Sequence, residues 1–331
     1  MADIDLTFAS EDYDHIRELA TGRVKPEGIR LTHLQLQVEE IFYRFTTTMD
    51  WEVSEISMGM FSSLMAQEKQ PYIGLPVFPS RVFRHSAVYV RADGKVKKPE
   101  DMAGKRIGVP QWSQTACVYV RGWMTDTVGI PLSKATWFQS GVNQPGRVET
   151  AKIKLPPGVN LTFVTDRSLT QMLLDGDLDV VFSAHAPHAF EAGDKRIVRM
   201  YPDHRPVEEA YFKDTGVFPI MHTVAIRRDV YERNRWIARN LFDAFQEAKR
   251  RSVQRLMDVT ASHFALPWHD VTTKAIGQSL FGGKEYWPYG IEGSRKTLDA
   301  FYRWCYEQGV TARHLKPEEV YAPETLAGFK I

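Results

Sequence analysis

The run Leu178-Asp179-Val180-Val181-Phe182 constrains the fold more than any other stretch of the chain. It is too short for a helix of its own, and β-branched valines beside a phenylalanine suit a pleated surface. With apolar side chains on consecutive positions, such a strand must be covered on both faces, as in a parallel sheet flanked by helices. Its flanks agree. Leu173 and Leu174 close an amphipathic stretch, and Asp175-Gly176-Asp177 is turn chemistry with a glycine free to take positive φ. Beyond the strand's C-terminal end come Ser183-Ala184-His185-Ala186-Pro187-His188. Ligands of open α/β sheets bind at that edge. Polar strand-to-helix loops are also ordinary, so position alone does not decide.

The same alternation runs through the chain. Strand patterns fall at 4–8, 28–34, 55–61, 87–90, 106–110, 135–138, 161–164, 196–200 and 216–226. Helical patterns fall at 11–19, 38–49, 116–127, 169–174, 231–257, 274–280 and 295–308, with Ser10 placed to cap the first. A chain of 331 residues suggests two domains, at roughly 150 residues each. The net charge of +1 argues against nucleic acid or a membrane surface as the main partner. Cys117 and Cys305 imply no disulfide framework. The first residues carry no secretory signal pattern, and no apolar run approaches the ~18 residues of a membrane span, which predicts a cytoplasmic protein. A homo-oligomer is compatible with this composition.

Several segments carry chemistry. Arg81, Arg84 and His85, with Phe83 and Tyr89 among them, suit a carboxylate, because a guanidinium fork binds one in bidentate fashion. The loop Gln111-Trp112-Ser113-Gln114-Thr115 joins a strand to a helix N-terminus, a ready anion site without a glycine-rich phosphate signature. Ser57 precedes Gly59 at a strand-to-helix turn, and His222 lies mid-strand. Glu11, Asp12 and Asp14 follow the first strand, where capping and solvation compete with a functional role. Arg147 lies on a long loop, 141–157, that also holds Glu149. The aromatic turn Tyr286-Trp287-Pro288-Tyr289-Gly290 is expected to serve packing, and Lys249-Arg250-Arg251 a solvated helix face.

Two extended segments, at 82–91 and 217–227, can carry the chain into a second domain and back. This resembles the type II periplasmic-binding-protein fold, an α/β architecture of two lobes, two crossover strands and a central ligand cleft. More specifically, the chain resembles the 4,5-dihydroxyphthalate decarboxylase family. The likeness rests on Asp12-Tyr13-Asp14, on Gly22-Arg23-Val24-Lys25-Pro26-Glu27-Gly28-Ile29, and on Phe78-Pro79-Ser80-Arg81 with Phe83-Arg84-His85-Ser86. Pro145-Gly146-Arg147, Gly216-Val217-Phe218-Pro219-Ile220-Met221-His222 and Trp287-Pro288-Tyr289-Gly290-Ile291-Glu292-Gly293 complete it. The resemblance implies one lobe of residues 1–85 and 222–331, a second of 86–221, and a decarboxylase acting on a hydroxylated aromatic dicarboxylate. The alternative from another class is a solute-binding protein that hands an aromatic or small carboxylate to a transporter. A cleft enzyme with other chemistry, such as dehydration or ring rearrangement, is the third reading.

The residue roles rest on chemistry. Decarboxylation of a hydroxybenzoate needs a base for the phenol, an acid for the ring carbon and an oriented carboxylate. His85, His185, His188, Asp12 and Asp14 are the acid/base candidates. Glu11, Ser57, Arg81, Arg84, Trp112, Ser113, Gln114, Thr115, Arg147 and His222 are the expected binding residues. No cofactor is expected. A divalent metal on His185 and His188 is the competing use of those histidines.

Overall fold

A computed structural model describes residues 3–261 and 263–326. Among the described residues, eleven strands form two sheets. The first holds β1 (Ile4–Ser10), β2 (Ile29–Gln35), β3 (Val53–Ser57), β4 (Tyr72–Arg81) and β11 (Ile220–Arg227) in the order β2-β1-β3-β11-β4. β1 runs parallel to β2 and β3, whereas β11 is antiparallel to both its neighbours. The second holds β5 (Val88–Arg91), β6 (Arg106–Val109), β7 (Thr136–Gln139), β8 (Asn160–Phe163), β9 (Val180–Phe182) and β10 (Ile197–Arg199), ordered β10-β5-β9-β6-β7-β8. The chain therefore crosses between the sheets twice, through 82–87 and 200–219.

The apolar run at 178–182 ends in the central strand β9, whose three residues are all buried. The preceding helix, Leu169–Asp175, is capped by Ser168, whose Oγ accepts from the Gln171 N–H, and ends at Gly176 with φ 83°. Leu169, Leu173, Leu178, Val181, Tyr89 and Ile197 cover the outer face of this sheet, while Val180 and Phe182 join the main core. Other boundaries shifted. The extended segment expected over 82–91 is broken by a 3-10 turn at His85–Ala87. Ser10 caps no helix. It ends β1, its hydroxyl donates to Glu11 O, and the helix Arg17–Ala20 begins later.

The lobes are stapled together as well as hinged. At Gly59 an added Cβ would lie 2.0 Å from Ser113 O, and the Gly59 N–H donates to Thr115 Oγ1 at 2.9 Å. Only glycine lets the helices Met58–Met65 and Thr115–Asp126 meet end to end. Helix Arg295–Glu307 packs on both: a Cβ at Gly122 would fall 2.3 Å from the Trp304 ring. Just past that helix, Gln308 O accepts from Trp112 Nε1 at 2.7 Å and Gln308 Oε1 from Arg121 Nε at 2.8 Å. Among the described residues no helix is long and apolar enough to cross a membrane.

Candidate active site

The C-terminal ends of the parallel strands in both sheets face one cleft, with a cavity of ≈ 520 Å³. That lies within the ~300–1,000 Å³ usual for small-molecule sites. Ser57, Arg84, Ser113, Gln114, Thr115, Arg147, His185 and His222 line it, drawn from both lobes. Phe42, Met60, Leu64 and Met221 supply an apolar wall.

One wall carries a buried acid and a histidine. In the β3–β11 register Glu55 faces Val224 and Ser57 faces His222. His222 lies two residues from Val224, so it shares Glu55's face of the sheet as a diagonal neighbour. Glu55 is fully buried, and its Oε1 lies 2.5 Å from His222 Nδ1. The Tyr13 hydroxyl donates to the same oxygen at 2.6 Å, and the Glu11 N–H to Oε2 at 2.9 Å. Burial alone would raise the Glu55 pKa; His222, Tyr13 and the Glu11 N–H outweigh it and hold the acid below its ordinary value. Burial first, and then the Glu55 charge, push the Tyr13 hydroxyl up, so it stays protonated and donating. An ionised Glu55 fixes the histidine tautomer with its proton on Nδ1, leaving Nε2 for a ligand. Phe42 stands edge-on to the imidazole at 5.0 Å.

Arg84 supplies the cation. Its Nε donates to Met221 Sδ at 3.0 Å, and it forms no ion pair among the described residues. Burial lowers its pKa to about 10, so it remains charged at neutral pH. A partly buried guanidinium without a carboxylate partner is costly unless a ligand supplies one. Arg147 is similar at the mouth: Nε and Nη2 donate to Gln111 Oε1 at 3.1 and 2.9 Å. His185 Nε2 lies 3.0 Å from Glu39 Oε1, a contact that spans the cleft from the second lobe to the helix Val38–Thr47.

The remaining candidates lie elsewhere. Arg81 is buried away from the cleft, donating to Phe218 O, Pro288 O and Ser294 Oγ, and so supports the fold. His85 is buried against Trp123 and Tyr211, its Nδ1 3.9 Å from Glu208. Asp14 pairs with Arg255 on helix Trp236–Met257, and Asp12 is exposed. Glu11 contributes its backbone N–H beneath the dyad, and its carboxylate accepts from the Asp12 N–H. Trp112 is fully buried under the loop that it introduces. His188 is exposed at the start of helix His188–Glu191, with its N–H on Asn143 Oδ1. It does not face the cavity with His185, and no group of three or more His, Cys, Asp or Glu among the described residues has metal-binding geometry. The aromatic turn packs: Tyr289 is buried and Trp287 Nε1 donates to Phe78 O.

Sequence reasoning passed over Glu55, although one signal was there. A carboxylate inside Val53-Ser54-Glu55-Ile56-Ser57 must be buried if the strand is central, and a buried acid is informative. Read as the first residue of a strand at 55–61, the same glutamate looks like a solvated end.

No protein-family model matches the chain. It is 34% identical over 332 aligned positions to the 4,5-dihydroxyphthalate decarboxylase of Comamonas testosteroni, covering 100% of both chains. The chain belongs to the 4,5-dihydroxyphthalate decarboxylase family. A second member, from Pseudomonas putida, is 36% identical over 204 residues, which is 61% of this chain and 79% of that one. Among solved structures, the periplasmic aliphatic sulphonate binding protein SsuA of Escherichia coli superposes with a TM-score of 0.55 at 9% identity, covering 98% and 99% of the two chains. A putative periplasmic sulfonate-binding protein SsuA from Methylobacillus flagellatus KT gives 0.53 at 15% identity, covering 98% and 93%. The chain thus has the two-lobed periplasmic-binding-protein fold.

Proposed function

We propose that the cleft removes one carboxylate of 4,5-dihydroxyphthalate as CO2, leaving 3,4-dihydroxybenzoate. The observation that carries this reading is the Glu55–His222 pair in the wall of a cavity that also holds the unpaired Arg84. Membership of the decarboxylase family supports it. A receptor that only binds and releases a solute has no need of a buried carboxylate polarising a histidine.

Each residue then has one task. Arg84 anchors the carboxylate that stays, through a charge-assisted fork. His222, with Nδ1 on Glu55, delivers a proton from Nε2 to the ring carbon that loses CO2. The ring carbon takes this proton with π electrons of the ring, the carbon–carboxylate bond then breaks, and its electron pair returns to the ring. The para hydroxyl feeds electron density into the ring and rearomatisation restores it, so one solvent proton is consumed for each CO2. Glu55 stabilises the imidazolium before transfer, and Tyr13 and the Glu11 N–H hold Glu55 in place. The leaving carboxylate ends as a neutral molecule. The apolar Phe42, Met60, Leu64 and Met221 therefore penalise the reactant more than the product.

The reaction runs on side chains alone, without a metal or cofactor, and takes place in the cytoplasm, which cell fractionation tests. The deciding experiment is incubation with 4,5-dihydroxyphthalate, following CO2 and 3,4-dihydroxybenzoate. Wild type is expected to turn over, with His222→Gln slowed by about 10²–10⁴-fold. Binding without CO2 release would favour the receptor.

A further inference from the structure

A carboxylate of the protein already occupies the donors of Ser113, a residue in the cavity wall. Glu149 Oε1 accepts from Ser113 Oγ at 2.5 Å and from the Ala151 N–H at 3.0 Å, while Oε2 accepts from the Ser113 N–H at 3.1 Å. All three donors are neutral, and Glu149 forms no ion pair among the described residues. Ser113 lines the cavity just before helix Thr115–Asp126.

A second observation marks this spot as an anion receptor. Arg121 is fully buried, its Nη2 donates to Trp112 O, and its guanidinium stacks 4.0 Å from the Trp112 ring centroid. Its Nη1 has no hydrogen-bond partner. A buried, incompletely satisfied cation thus sits behind the Trp112–Ser113 backbone, within electrostatic range of Glu149. It favours a negative charge in front of Ser113 without forming a salt bridge there.

The segment carrying Glu149 is anchored at its two ends and held by side chains between them. Residues 140–159 contain no helix or strand. One end is pinned where Gly141 O and Val142 O accept from the Leu169 and Thr170 N–H groups at 2.9 and 2.8 Å, and Asn143 Oδ1 accepts from the His188 N–H at 2.8 Å. The other is pinned by the Lys154 N–H on Gly309 O at 2.8 Å. Between these anchors the strap is held by side-chain bonds: Arg147 on Gln111, Gln111 Nε2 on Val148 O, and Glu149 on Ser113. Arg147 lines the cavity two residues from Glu149 and pairs with no carboxylate among the described residues.

We propose that Ser113 forms a second carboxylate subsite, that Glu149 occupies it in the resting protein, and that the leaving carboxylate of an ortho-dicarboxylate displaces Glu149. The reading rests on the proposed reaction for its substrate. Arg84 binds the carboxylate that stays, and the Ser113 N–H and hydroxyl orient the one that leaves, with the Arg121 charge behind them and no salt bridge to it. Once CO2 has gone, the product has a single carboxylate. Glu149 then returns to Ser113, which favours product release and makes the cleft selective for dicarboxylates over monocarboxylates.

Phthalate and benzoate test this by direct titration, because neither has the hydroxyl that drives the chemistry. Removing an internal competitor tightens a ligand by the inverse of the fraction of molecules in the competent state. Glu149→Ala should therefore bind phthalate about tenfold tighter if the strap is closed in about nine molecules of ten. Benzoate, held by Arg84, should change less than about twofold on the same arithmetic. Adding Ser113→Ala, which removes the hydroxyl and keeps the N–H, should cut the gain for phthalate. Unchanged or weaker phthalate binding in Glu149→Ala overturns the proposal, as does an equal gain for benzoate or a gain that survives Ser113→Ala undiminished. The titrations stand apart from turnover. A protein that shows them but releases no CO2 loses the decarboxylase reading and keeps the subsite; the converse result keeps the reaction and loses Glu149.

Discussion

Glu39 Oε1 and His185 Nε2 meet 3.0 Å apart across the mouth of the cleft, one from each lobe. The bond to Glu39 raises the His185 pKa above its ordinary 6.5, and the bond to His185 lowers Glu39 to about 2. The histidine's contribution is complete below 6.5 and is lost as pH rises through its raised value. The glutamate's contribution is present above its ordinary 4.5 and is lost as pH falls toward about 2. The pair is therefore intact between 4.5 and 6.5 and loosens on either side. With side-chain exposures of 63% and 54% it is a weak, salt-sensitive latch. Product release, followed by stopped-flow fluorescence, should quicken above pH 6.5 and with added salt, and His185→Gln should flatten both dependences. Identical pH and salt profiles in the two proteins would remove the latch.

Glu55→Gln separates charge from shape at the dyad. The amide keeps one acceptor oxygen, so it can accept from Tyr13 or from the Glu11 N–H but not both, and it cannot stabilise an imidazolium. We expect kcat to fall by about 10²–10⁴-fold with KM nearly unchanged, because the lost interaction acts at proton transfer. His222→Gln should fall equally, and the double variant no further, since the two residues act as a unit. Additive losses in the double variant would count against the pair.

The lobes and their strands were legible in the sequence because buried strands write themselves as short apolar runs, as Val180–Phe182 does. The cleft was legible in outline because strand ends point at it; hence Ser57, Ser113 and His185 all line the cavity. What failed was the direction of individual side chains. Asp14 looks like a cleft acid until Arg255, 241 residues away, pairs with it. Arg81 and Arg84 look alike in sequence, yet the 3-10 turn that follows Arg84 places one inside the fold and the other in the cleft. His188 lies three residues from His185, on a helix that turns it outward. Glu55 was hidden by a strand boundary drawn two residues late.

A chelator should leave turnover unchanged. The proposed chemistry needs a cation at Arg84 and a proton at His222, and His185 engages Glu39 without His188 beside it. Dialysis against EDTA, then assay with and without added divalent ions, checks this. Activity that disappears and returns with an ion would move the proton-transfer step to a metal-bound group.

Arg81 and Arg84 should fail in different ways when each is replaced by methionine. Arg81 is buried, and its guanidinium ties three segments together through Phe218 O, Pro288 O and Ser294 Oγ. Methionine fills much of the volume but leaves those acceptors unpaired, at about 1–3 kcal/mol for each buried group. Arg81→Met should therefore lower the melting temperature by several degrees, with the KM of the folded fraction little changed. Among the described residues Arg84 has one sulfur contact and no ion pair, so methionine there leaves few unsatisfied partners. It also relieves the burial of a cation. Arg84→Met should hold or raise the melting temperature while KM rises by at least about tenfold, since a desolvated carboxylate left unpaired costs several kcal/mol. Lysine at 84 should restore only part of the affinity, because it lacks the planar fork. Thermal unfolding and steady-state kinetics on the same preparations decide it: a KM effect at Arg81 without a stability loss would put that guanidinium back in the cleft.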